Sequence, residues 1–163
     1  ASVFGKYAGG IAGRNSSGKC SIYGCYNEGV IETDGGNAGG IYGKDDGFDF
    51  DIKGCYNIGT VQGRQGGEVL GAITSSSASG SSVMASCYVR EKYAIAHATE
   101  ETVFGSSGWP TSTNNTVWYA DPSNDGTYTA GSDGVPTGNY KFWKSLGSWN
   151  GGTPQYPKLW WEE

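Results

Sequence analysis

The chain has 163 residues and a mass of 17.1 kDa, enough for one domain with a core and short for two. Its 29 glycines far exceed the roughly 11 that an average usage of about 7% would give, and its apolar residues are rich in Tyr, Trp, Val and Ile, a turn-rich β composition rather than a helical one. A net charge of −5, a pI near 4.8 and singly scattered Lys and Arg argue against a nucleic-acid partner, and no apolar run reaches the roughly 20 residues of a bilayer-spanning helix.

The N-terminal "ASVFGKYAGG" (1–10) lacks the basic and apolar regions of a signal peptide and reads as the tail of an earlier unit. "AGGIAG" (8–13) then returns as "AGGIYG" (38–43), and "SIYGCYNEGVI" (21–31) as "DIKGCYNIGTV" (51–61), both thirty residues later. A drifted third copy runs through "GEVLGAI" (67–73) and "VMASCYV" (83–89). Twelve residues separate Gly13 from Cys25 and Gly43 from Cys55. With Gly71 aligned to those glycines the third interval is sixteen, and the excess falls in a loop at "SSSASGSS" (75–82).

Each unit holds three short β-branched or aromatic runs bounded by Gly, Asn and Ser, which read as strands and corners. A unit of about thirty residues cannot bury its own apolar face, whereas stacked units can. The expectation is an all-β parallel β-solenoid, right-handed favoured, of about three coils (7–35, 36–64 and 65–93), with 94–163 forming an aromatic-rich extension and Trp-rich C-terminal cap. Within that extension "KYAIAHATEETVFG" (92–105) is the one candidate for a short helix.

"AGGIAGRN…IYGCYNEGVI" and "AGGIYGKD…IKGCYNIGTV" resemble GLUG repeats, which occur in large bacterial surface proteins including adhesins and members of the IgA-cleaving metallopeptidase family. "SWNGGTPQYPKLWWEE" (148–163) is similar to the closing segment of such arrays. The resemblance implies an extracellular, bacterial cell-surface setting and a monomeric part of a larger chain. The third copy departs from it, with Glu68 replacing Gly and Val89 replacing Asn. The peptidase signature His-Glu-x-x-His is absent, since His97 is the sole histidine.

Stacking puts Cys25, Cys55 and Cys87 in one column. Rungs about 4.8 Å apart hold parallel Cβ atoms just beyond the roughly 3.5–4.5 Å of a disulfide, so free buried thiols are expected. Two disulfides are the alternative under oxidising conditions. Cys20 aligns with Phe50, a core position. Neither a Cys nucleophile nor a zinc site has its histidine partners. Asn27 and Asn57 are expected at left-handed corners, each amide bonding a stacked Asn.

In "KDDGFDFD" (44–51), alternation places Asp49 and Asp51 on a solvated face with Phe48 and Phe50 inward; the spacing misses the EF-hand register, and no metal is assigned. "DPSNDGTYTAGSDG" (121–134) is turn chemistry. All six Trp lie beyond residue 100, and Trp109 and Trp118, in a polar stretch, are the candidate exposed, sugar-contacting residues. The reading is a non-catalytic repeat module without cofactor, a stalk or adhesion surface whose partner is a host glycan or a host or bacterial surface protein, without membrane insertion. The alternative is a carbohydrate-binding module using those Trp. An enzyme would need two facing carboxylates, for which Asp49 with Asp51 is the only ready pair, Glu100 and Glu101 being adjacent in sequence rather than facing. Ice binding would need a regular Thr ladder that the chain lacks.

Overall fold

The computed structural model describes residues 2–66, 68–76, 81–93, 101–110, 143–159 and 162. Among these every regular element is a strand and none is a helix. After β1 (Ser2–Phe4), the first repeat supplies β2 (Tyr7–Gly9), β3 (Ala12–Asn15), β4 (Cys20–Tyr23), β5 (Tyr26–Asn27) and β6 (Val30–Thr33). The second supplies β7 (Asn37–Gly39), β8 (Tyr42–Asp45), β9 (Phe50–Lys53), β10 (Tyr56–Asn57) and β11 (Thr60–Gly63). The third supplies β12 (Val69–Gly71), β13 (Val83–Ala85) and β14 (Cys87–Val89), and β15 (Glu101–Val103) follows. These lie in a compact unit, Ala1–Phe104; a second, Gly105–Glu163, holds β16 (Trp143–Ser145), β17 (Ser148–Asn150), β18 (Thr153–Gln155) and β19 (Lys158–Leu159).

Every sheet of the first unit is parallel, and strands from successive repeats are neighbours: β2-β7-β12, β3-β8, β4-β9-β13, β5-β10-β14-β15 and β1-β6-β11. This arrangement is consistent with a β-solenoid. Its full repeats carry five short strands rather than three, because glycine-containing corners divide two of the three apolar runs.

Between the first two repeats the register offset is thirty, as in Tyr26↔Tyr56 and Cys20↔Phe50. Between the second and third it is thirty-two, as in Tyr56↔Tyr88 and Asp51↔Val83. Gly71 pairs with Gly39, not with Gly43. The intervals Gly9–Cys25, Gly39–Cys55 and Gly71–Cys87 are therefore all sixteen residues, and the two extra residues sit at the corner "RQGGE" (64–68) opposite "DGG" (34–36). The described end of the Ser-rich segment is in step with the preceding repeat: Ser81 N donates to Asp49 Oδ1 at 3.0 Å, and Phe50 N to Ser82 Oγ at 3.2 Å.

Apolar side chains at equivalent positions stack into columns. Ile22, Ile52 and Met84 form one, Ile31 and Val61 another, and Ile41 N donates to Ile73 O at 2.9 Å in a third. Full burial of each such side chain contributes roughly 1.5–3 kcal/mol. The helix expected within 92–105 is absent from its described part, because Glu101–Val103 pairs as a strand with Cys87–Val89. Extended Thr and Val, which stiffen the chain at χ1, suit this additional rung.

Candidate functional site

The repeated Gly-Cys-Tyr-Asn segment is best described from its backbone. Gly24 and Gly54 lie in the left-handed region, at φ 58° and 61°, and Ser86 occupies the same position in the third repeat at φ 51°. This turn, three residues before the Asn, is the left-handed corner. Asn27 and Asn57 lie within strands instead, correcting the corner assignment. Their amides have another task. Asn27 Oδ1 accepts Gly29 N at 3.0 Å, Asn57 Oδ1 accepts Gly59 N at 3.1 Å, and Asn27 Nδ2 donates to Asn57 Oδ1 at 2.8 Å. The ladder stops where Val89, fully buried, replaces Asn.

All four cysteines are free thiols. Each column thiol donates to the carbonyl two residues back: Cys25 to Tyr23 at 3.3 Å, Cys55 to Lys53 at 3.4 Å and Cys87 to Ala85 at 3.4 Å. Cys55 and Cys87 also reach the neighbouring rung at Ile22 O and Ile52 O. Burial raises the Cys55 thiol well above its ordinary pKa, and burial next to Asp45 raises that of Cys20. A thiol so raised is a poor nucleophile at neutral pH.

Two acidic positions differ from the sequence expectation. Phe48 is 37% exposed while Phe50 is buried, and Asp51 is buried rather than solvated. Strand β9 begins only at Phe50, so the alternation that would pair Phe48 with Phe50 does not reach Phe48. Asp51 Oδ2 accepts the Tyr23 hydroxyl and Lys53 Nζ, each at 2.9 Å, with Lys19 Nζ at 3.7 Å. Asp49 binds a backbone amide, so the two carboxylates are engaged separately. Among the described residues no three His, Cys, Asp or Glu side chains gather as a metal set.

Sequence reasoning weighed Glu101 only as a neighbour of Glu100 and missed its place in the stack. It follows Cys87 in the cysteine column, 2% exposed, and its Oε1 accepts Ile73 N at 2.9 Å. Ile11 N and Ile41 N donate to the carbonyls of Ile41 and Ile73, so the Glu101 carboxylate occupies the acceptor place of a following rung. Burial pushes its pKa up to about 7, against the opposing pull of the Ile73 amide and Lys92. No repeat signal marks this residue, since its column partner is a cysteine.

In the second unit, the hairpin β17–β18 turns through Gly151 and Gly152, at φ 60° and 109°, and pairs Trp149 with Pro154. Trp109 is half-buried and donates Nε1 to Leu146 O at 2.7 Å. Its ring centroid lies 6.1 Å from that of Tyr156, at 22°, and 6.1 Å from that of Trp149, at 42°. Trp109 thus joins two half-buried rings that the sequence had placed in the cap. Trp118 lies outside the described residues.

Comparison of the chain with protein-family models, with curated proteins and with solved structures finds no match.

Proposed function

We propose that the chain is a non-catalytic repeat module of a bacterial cell-surface or secreted protein, serving as a stalk or adhesion surface. In this reading about three right-handed coils are closed by the Trp-rich C-terminal segment, and the partner is a host glycan or a host or bacterial surface protein. The observation that carries it is the use of the repeat's own polar groups. The recurrent Asn amides bond one another and their own turns, and the buried Cys55 and Cys87 thiols bond the neighbouring rung, so these repeated groups serve the stack. The resemblance to GLUG repeats supports the surface setting.

The test is to incubate the full chain with polysaccharide and peptide substrates and to probe it against immobilised glycans and matrix proteins. Binding without turnover is expected from an adhesion surface, and neither binding nor turnover from a pure stalk. Turnover abolished by Asp49→Asn or Asp51→Asn would overturn the non-catalytic reading.

A carbohydrate-binding module is the second reading, favoured by the partial exposure of Trp109, Trp149 and Tyr156. On this reading Trp109→Ala and Trp118→Ala each abolish retention on a neutral glycan column. Unchanged retention in both would remove it.

A further inference from the structure

Three cations surround one aromatic ring at the start of the first repeat. Arg14 Cζ lies 4.8 Å from the Tyr7 centroid, Lys44 Nζ 5.4 Å and Lys6 Nζ 5.9 Å. Strand β2 places Tyr7, while the register of β3 on β8 sets Arg14 beside Lys44. The exposed carboxylate that meets them is Asp46, which takes Arg14 Nε at 2.9 Å, Arg14 Nη2 at 2.5 Å and Lys44 Nζ at 3.7 Å. The adjacent Asp45 is buried, with Oδ1 accepting Gly47 N.

Only part of this group follows the stacking pattern: Arg14 and Lys44 share one repeat position, whereas Lys6 and Tyr7 do not recur. Down the same column Tyr7 is followed by Asn37 and Val69, whereas the stacking residues Ala8 and Ala38 repeat. Three like charges about one ring repel each other. With Asp46 as the one exposed carboxylate among the described residues that meets Arg14 and Lys44, they still stand as a local excess of positive charge on a chain of net charge −5.

We propose that the Tyr7 cluster binds an acidic saccharide, whose carboxylate or sulfate is held by Lys6, Arg14 and Lys44 while a sugar ring lies beside Tyr7. The cation–π contacts already restrict the three side chains, so less rotamer entropy is lost on binding. A long phosphate polymer fits poorly, because beyond this short patch the chain's net negative charge opposes it. The proposal deepens the adhesion-surface reading and names its ligand class.

The test titrates the full chain calorimetrically with a sulfated heparin oligosaccharide, a carboxylate-only hyaluronan oligosaccharide, a neutral cello-oligosaccharide and a phosphodiester oligomer. An acidic saccharide binds, the neutral one does not, and added salt weakens binding. The sulfated and carboxylate-only arms distinguish the two acid groups. Lys6→Ala and Lys44→Ala each lower affinity roughly tenfold, the scale of one lost charge-assisted contact, while Lys158→Ala in the second unit changes nothing. Absence of binding by both acidic saccharides overturns the proposal and leaves the stalk reading standing. Equal binding of the phosphodiester oligomer overturns the saccharide assignment, as does unchanged affinity in a folded double variant lacking Lys6 and Lys44. Turnover of any saccharide overturns the non-catalytic reading itself.

Discussion

Ser86 and Glu101 each depart from the residue that the preceding repeats place in their columns. A side chain at φ 51° costs about 1–2 kcal/mol that glycine avoids, and the two preceding repeats use glycine there. Ser86→Gly is therefore expected to stabilise the chain by about 1 kcal/mol, read as a higher urea midpoint at unchanged slope. Glu101 behaves differently because its effect depends on pH. Its folded pKa of about 7 lies above the ordinary 4.5, so the folded state holds the proton more tightly than the unfolded chain. Its contribution is most favourable below about pH 4.5, declines as pH rises towards 7, and is flat above. The loss across that window is roughly 3 kcal/mol. Glu101→Gln should remove this part of the stability–pH slope, measured as urea midpoints at pH 5 and pH 8. An unchanged slope in the variant would show that Glu101 does not titrate there.

The corner between β11 and β12 separates two explanations of the third repeat's length. With the extra residues at 64–68, deleting Gly66 and Gly67 matches the corresponding corner of the preceding repeat and leaves the strands in register. Deleting Ser81 and Ser82 instead removes bonds to Asp49 and Phe50 and pulls β13 out of step with β9. The first deletion is expected to keep a cooperative transition within about 1 kcal/mol of the parent, since loop length contributes little to stability. The second is expected to broaden or abolish that transition by circular dichroism.

The same elements mark how far the sequence was legible. Cys, Tyr and Asn recur in fixed order, so the cysteine column and the Cys20–Phe50 equivalence could be read directly. Glycine is too frequent to define an alignment: the motif spacing sets Gly71 against Gly43, whereas the strand register and the Ile41–Ile73 hydrogen bond set it against Gly39. Asn tolerates a left-handed turn, but here Gly24 and Gly54 make it, which frees the Asn amides for the ladder. The strand at 101–103 was hidden because its pairing partner is supplied by the stack and not by its own pattern. The candidate site was less legible still. Trp109 stood out by its polar surroundings, but its neighbours Trp149 and Tyr156 are distant in sequence, and the Tyr7 cluster exists only through the register of β3 on β8.

In the first unit each repeat stacks in parallel on the next, and recurrent polar groups hold the stack. On the proposed reading, recognition falls to Tyr7 and Lys6, which do not recur, together with the stacked pair Arg14 and Lys44. The most direct test is an NMR measurement of inter-strand contacts on isotope-labelled chain. The account predicts nuclear Overhauser contacts between the side-chain amides of Asn27 and Asn57, and backbone contacts joining Tyr26 to Tyr56 and Tyr56 to Tyr88. Contacts showing strands paired antiparallel with their sequence neighbours, or a third repeat joined at an offset of thirty instead of thirty-two, would contradict it.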